Sequence, residues 1–302
     1  MIALLANLVI AVAKLIAGLA TGSIGMLAES AHSLADSINE VLLGVSLRRD
    51  RRPADSEHPL GHGRERFLWA FMAALASFLI GGCLSIALAI HEFGTHHAME
   101  SLRVAWIVLL ISFLAEGASW LQSVKQARKQ AKEYGLPVGP YLLRASDPVV
   151  RAIVVEDSAA LIGLCLAAGG LLLSQLLRSN FPDAVASLLI GILLAVTAFG
   201  LARPLADFLV GRSLHPEALE KLHALFQQTS AIEEVLLLRA LYSGPEEVLV
   251  VAKIHPRSNL KGDELALAMD ELDAKIRSEF PVVADVFIDV TKDRASNAPS
   301  AS

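Results

Sequence analysis

Five polar side chains crowd one apolar stretch of this sequence. Glu29, His32, Asp36, Asn39 and Glu40 fall within 12 residues whose neighbours are mostly small or aliphatic. His32 and Asp36 are four apart, so a helical stretch carries them on one face. A neutral imidazole and a carboxylate placed this way can bind a divalent cation. They can also form a hydrogen-bonded pair that only holds helices together. A second acidic pair, Glu156-Asp157, lies in another apolar run. Two carboxylates there repel each other unless a cation or a proton joins them, and a buried acid without a partner is costly. His32, Asp36 and Glu156 together offer three ligands. Asp157 is the candidate fourth, although adjacent helix residues point about 100° apart, so one acid of the pair would stand behind the other.

Three other ionisable residues in apolar runs read differently. Lys14 and Glu116 are expected to form a structural ion pair, with each other or with Glu40. Glu29 lies toward the end of its run and is expected to reach water. Cys83 and Cys165 sit alone in apolar runs and form no CxxC pair. Both are expected to behave as small core hydrophobes.

The elements that must position these groups follow from composition. Of 302 residues, 54% are hydrophobic and only 19% are charged, against about 25% in a soluble domain. Mean hydropathy is +0.53. This balance excludes a disordered chain and an ordinary soluble enzyme. The net charge of −5 excludes a general nucleic-acid binder. A helix needs about 20 mostly apolar residues to cross a bilayer. Six stretches qualify: 1–20, 24–47, 67–91, 102–124, 149–177 and 184–206. The first lacks the basic start and cleavage site of a signal peptide.

Orientation follows from the loops. Arg48, Arg49, Arg51, Arg52, Arg64 and Arg66 surround the second connection, and Lys125, Arg128, Lys129, Lys132 and Arg144 the fourth. The other connections are nearly bare. Basic loops stay cytoplasmic, and six crossings then place both termini there. Trp69, Trp106 and Trp120 lie toward segment ends, as interface anchors do.

The expected organisation is a six-helix transmembrane domain over 1–208, a cytoplasmic domain over 209–292 and a disordered tail over 293–302. In the cytoplasmic domain, Pro216 opens a helix, and Glu234–Tyr242 and Val248–His255 read as strands around a Ser243-Gly244-Pro245 turn. A helix follows from Gly262, and Val282–Val290 alternates like a third strand. The order αββαβ is a small ferredoxin-like α+β sandwich.

With these residues in place, the sequence resembles a known family. The run from Gly22 to Asp36, with Ala28-Glu29-Ser30-Ala31-His32 and Asp36, is similar to the second transmembrane helix of the cation diffusion facilitators. Arg52-Pro53-Ala54-Asp55 followed by His58-Pro59-Leu60-Gly61-His62-Gly63-Arg64 resembles that family's HPxGHxR loop. The resemblance covers essentially the whole chain and implies a divalent metal exporter, most often of zinc, that works as a homodimer and exchanges metal for protons. It implies that His32 and Asp36 are the ligand pair of the second helix. The fifth helix of the family supplies a second pair four residues apart, matched here by Glu156 and Ala160, so one ligand is missing at its usual place. The Glu156-Asp157 pair resembles a divergent branch that includes a mitochondrial zinc transporter, and Asp157 is the candidate substitute. Asp55, His58 and His62 match a second metal site of some members. The same residues could serve only to shape a turn that docks on the tail. In the tail, Leu236, Ala252 and Asp289 stand where some members carry metal ligands, so no tail metal is expected, although His255 lies nearby.

The mechanism implied is alternating access. A cation displaces protons from His32 and the acids, leaves on the far side, and returning protons reset the site. No cofactor is expected beyond the transported metal, and the expected partners are that metal, protons, lipid and a second copy of the chain. A bacterial inner membrane is the expected location. Three other readings stay open: export of manganese, iron or cobalt; a non-transporting partner with a degenerate site; and an intramembrane metalloenzyme. The last is disfavoured because no HExxH, Ser–His or Cys–His arrangement occurs in the apolar segments.

Overall fold

Each apolar stretch singled out above folds as a helix. The computed structural model describes residues 2–93, 102–133, 135, 137–144, 148–245, 247–258 and 260–292. The first helices are α1 (Ile2–Thr21) and α2 (Ile24–Arg49). The third rod is α3 (Glu65–Ala76), a π-helical segment (Ser77–Cys83) and α4 (Leu84–Glu92) in unbroken succession. Then come α5 (Leu102–Glu133), a short α6 (Val138–Arg144), α7 (Pro148–Leu177) and α8 (Phe181–Val210). The third rod and most of α5, α7 and α8 are long and apolar enough to cross a bilayer. The described part of α1 is apolar over Asn7–Thr21. In α2 the apolar character is interrupted by the same polar residues that could do chemistry. The expected membrane bundle with a small cytoplasmic-type sheet domain is what the chain forms.

Local chemistry sets these boundaries. Gly22 turns the chain between α1 and α2 at φ +69°, a region glycine enters without a Cβ penalty. Ser23 then caps α2, its hydroxyl accepting the Met26 amide at 3.3 Å. Small residues let helices approach. A Cβ at Gly82 would lie 3.0 Å from the Ala195 backbone, and one at Gly191 would lie 2.8 Å from the Ile86 amide. These contacts lock the third rod to α8 as small residues do in bilayers. Outward positions are apolar: Val9, Ile16 and Leu19 of α1 are each at least 60% exposed, as lipid-facing residues would be.

Three expectations fail here. Cys83 and Cys165 are exposed rather than buried, because a protein surrounded by lipid has no reason to hide an apolar thiol. The fourth segment does not stop at 124. It continues to Glu133, since the residues that follow are good helix formers although too charged for hydrocarbon. Trp120 is therefore well inside α5, and its indole N–H donates to Ser158 of α7 at 2.9 Å.

The chain divides into two compact units, Met1–Arg49 with Arg66–Ala206, and Asp50–Glu65 with Asp207–Ser302. The loop 50–65, expected within the membrane part, thus packs with the tail. The second unit contains α9 (Pro216–Gln228), β1 (Ile232–Gly244), β2 (Glu247–Pro256), α10 (Gly262–Glu279) and β3 (Val283–Val290). This is the expected αββαβ order. Strand β2 is central, antiparallel to β1 and parallel to β3. Alternate β2 residues Val248, Val250, Ala252 and Ile254 are buried, the period-two signature of a sheet with one covered face. Leu222 and Phe226 of α9 and Leu272 and Ile276 of α10 complete that core. The tail expected over 293–302 lies outside the described residues.

Candidate functional site

Helix α2 carries the chemistry along one stripe. His32 and Asp36 are one turn apart, with His32 Nδ1 3.5 Å from Asp36 Oδ1. His32 is buried, and its Nε2 is enclosed without a hydrogen-bond partner. One further turn along, Asn39 uses both amide protons. It donates to Glu156 Oε1 of α7 at 2.8 Å and to Ser77 Oγ at 2.7 Å. Ser77 opens the π-helical segment, a departure from α-geometry that recurs at functional sites. Asp157, beside Glu156, accepts a hydrogen bond from Ser119 of α5 at 3.3 Å.

A cavity of about 520 Å³ lies among α1, α2, α5 and α7. Asp36, Glu40, Glu116, Glu156 and Asp157 all line it, with Asn39, and its described lining includes no lysine or arginine. Five carboxylates lining one partly open volume between apolar helices make it an electrostatic well for cations. Of the four expected ligands, Asp36, Glu156 and Asp157 line this cavity, whereas His32 lies just outside the lining. Ala160, the position without a ligand, also faces the cavity.

The counter-charge lies behind the wall. Lys14 is fully buried, and its ammonium donates to Glu29 at 3.1 Å and to Ser33 at 2.8 Å. Glu116 is 3.8 Å away. The expected Lys14–Glu116 pairing is thus the longer of two, and Glu40 is not among the ion-pair partners found for Lys14. Glu29 does not reach water. It is fully buried, because α1 supplies a cation at its depth and Gly163 leaves room for it; a Cβ there would lie 2.5 Å from Glu29 Oε1.

A second cluster lies in the loop of the other unit. Among the described residues, Asp55, His58 and His62 are the group that brings three ligand atoms within 4.8 Å of one another. Asp55 Oδ1 accepts the amides of Glu57 and His58 at 2.9 and 2.7 Å. The His62 ring lies between two carboxylates, Nε2 3.0 Å from Asp55 and Nδ1 2.9 Å from Glu65. Two acceptors on one ring favour the imidazolium. The His62 ring is raised above its usual value by Asp55 first and Glu65 second. Asp55 is lowered, chiefly by His62 and then by the His58 amide. Gly63 seats the loop on the tail hairpin: a Cβ there would come within 2.9 Å of the Ser243 carbonyl. In the tail, Asp289 faces Lys253 at 3.7 Å, and His255 Nδ1 donates to the Thr291 carbonyl at 3.0 Å.

Some working residues had little sequence signal. Asp183 is buried and accepts hydrogen bonds from the Ser23 hydroxyl at 3.0 Å and the Gly25 amide at 3.1 Å. It thereby ties the start of α8 to the start of α2, where the helix dipole favours a carboxylate. In the sequence it is one acid at a segment edge. Ser77 and Ser119 look like ordinary helix residues. Asn39 carried a signal, since it extends the His32–Asp36 stripe by a turn.

A helical membrane protein with an acid-lined cavity between its helices is the class that fold and site define. Residues 1–210 match the family model of the cation efflux transmembrane domain, and the chain belongs to that family of transporters. It is 29% identical over 265 residues to the mitochondrial proton-coupled zinc antiporter SLC30A9 of Xenopus laevis, covering 86% of this chain and 47% of that protein. It is 30% identical over 229 residues to metal tolerance protein C4 of Arabidopsis thaliana, covering 76% of this chain and 50% of that one. It is 27% identical over 294 residues to the manganese efflux system protein MneP of Bacillus subtilis, covering 96% and 94%. The chain spans about half the length of the first two relatives.

Proposed function

We propose that this protein exports a divalent metal cation, zinc first, in exchange for protons, by alternating access of the cavity between α1, α2, α5 and α7. The observation that carries the reading is the cavity itself: five carboxylates, no lysine or arginine in the described lining, and His32 one turn from Asp36. His32, Asp36, Glu156 and Asp157 are the proposed cation ligands. The same acids are the proposed proton acceptors once the cation has left, since carboxylates at this depth need a positive partner. Likeness to a relative named as a proton-coupled zinc antiporter supports both the metal and the proton. The loop 50–65 and the tail are assigned to the cytoplasmic side, on the basic residues of that loop. The tail is the proposed contact between two copies. Asp55, His58 and His62 are the candidate holders of a second metal in that loop, which would have to displace the proton held on the His62 ring between Asp55 and Glu65; with that proton in place their proposed role is to dock the loop on the tail.

Manganese is the second candidate. Oxygen ligands dominate the cavity, which suits a harder cation, and one relative is named as a manganese efflux protein. A panel of metals offered to proteoliposomes under a pH gradient tests substrate and site together. Zinc uptake by the wild type and its loss in Asp36→Ala are expected. Undiminished uptake by Asp36→Ala would remove this cavity as the transport site.

A further inference from the structure

We infer that Asn39 is a further ligand of the transported cation, through its side-chain carbonyl oxygen; this rests on the transport reading just given and adds a residue to it. The orientation of the amide is fixed by what surrounds it. With Glu156 ionised, as it is when it faces a cation, the atom 2.8 Å from its carboxylate is the donor, because the reverse orientation sets acceptor against acceptor. The second proton of the same nitrogen goes to Ser77 at 2.7 Å. Both donors are therefore spent on protein, and the oxygen is left over. That oxygen is buried without a hydrogen-bond partner, on a residue only 3% exposed that lines the acidic cavity.

A buried acceptor without a donor is expensive. Its neighbours in the lining are acceptors too: Asp36, Glu156 and Asp157. A wall of acceptors is satisfied by a cation. Asn39 also stands three residues beyond Asp36 and seven beyond His32, so all three lie along one helix stripe. The amide would then act at both ends: its nitrogen aims Glu156, and its oxygen meets the same ion. A neutral carbonyl oxygen is a hard donor, which favours manganese over softer metals relative to a site closed by a second imidazole or a thiolate.

The test exchanges the donor atom. Wild type, Asn39→Cys, Asn39→Asp and Asp36→Asn are reconstituted as full chains, and initial rates of Mn²⁺, Zn²⁺ and Cd²⁺ uptake are measured across concentration. A thiolate in place of the carbonyl should raise the Cd²⁺ to Mn²⁺ ratio of Vmax/KM at least about tenfold, given that even indirect changes around a metal cost tenfold or more in affinity. Asn39→Asp replaces the neutral oxygen by a charged, harder one and should lower that ratio; both variants lose the donor to Glu156, so an effect of positioning alone would move the three metals together. An unchanged Cd²⁺ to Mn²⁺ ratio in Asn39→Cys would mean that the amide only positions Glu156, and would overturn the inference. If Asn39→Cys does not assemble, Asn39→Asp decides alone: a lowered ratio supports the ligand role and an unchanged ratio overturns it. Full transport by Asp36→Asn would instead defeat the parent reading, which keeps the two failures apart.

Discussion

Removing the ammonium of Lys14 should destabilise the membrane unit more than most changes of the same size. Lys14 and Glu29 are both fully buried, 3.1 Å apart. Lys14→Met leaves the Glu29 carboxylate enclosed without its cation, on a side chain that is fully buried. Breaking one side of a buried pair costs about 3–5 kcal/mol, which is two to nearly four powers of ten in the folding equilibrium. Glu116 adds little, because it is 3.8 Å away and opens onto the cavity. The double variant Lys14→Met with Glu29→Gln removes both charges and keeps both shapes, so it should recover most of the loss. Equilibrium unfolding in mixed micelles, followed by helix content, gives the four corners of the cycle. Two results would exclude a working Lys14–Glu29 pair. Lys14→Met as stable as wild type would mean the pair is idle. A double variant as unstable as the single would mean that packing, not charge, holds the site.

Other expectations can be checked separately. His62, raised by Asp55 and Glu65, should support loop docking fully below about pH 6.5 and lose that contribution as pH rises through its raised value. Asp55, lowered by His62, should contribute above about pH 3.9 and lose its contribution as pH falls through its lowered value. Protease sensitivity of the loop against pH should therefore show a protected plateau on the acid side of neutrality, and His62→Gln should remove its alkaline edge. Asp183→Ala withdraws the acceptor from Ser23 and Gly25 and should cost about 1–2 kcal/mol, the size of a lost cap, read as lower resistance to SDS unfolding. Gly191→Ala sets a methyl against the Ile86 backbone and should cost about 1–3 kcal/mol by overpacking, whereas Gly200→Ala, where a Cβ would meet nothing within 4 Å, should be neutral or better by thermal melting.

Much of this arrangement was legible in the residues because hydrocarbon is an unforgiving solvent. Apolar runs of membrane length had to be helices, and the few ionisable groups within them had to be either paired or working. The apolar run Val248–His255 after the Ser243-Gly244-Pro245 turn announced the central strand in the same way. What the sequence hid was partnership. Nothing local distinguishes the Glu29 that meets Lys14 from one that reaches water, because the answer depends on how α1 rotates against α2. Asp183 and Ser77 were invisible for the same reason: each acts on a helix remote in sequence. The cysteines were misplaced by a rule made for soluble cores, where the outside is water. Asn39 lay between these cases, visible as part of the stripe but without its two donated hydrogen bonds.

If one cavity exchanges metal for protons, the two fluxes must be coupled, and recording both at once is the direct test. Proteoliposomes carrying an internal metal indicator and an internal pH indicator would receive zinc on one side with no other gradient. Zinc entry with matched proton exit is expected, both abolished by Asp36→Asn and by Glu156→Gln. Zinc entry with no proton movement, or matched fluxes that survive both substitutions, would contradict it.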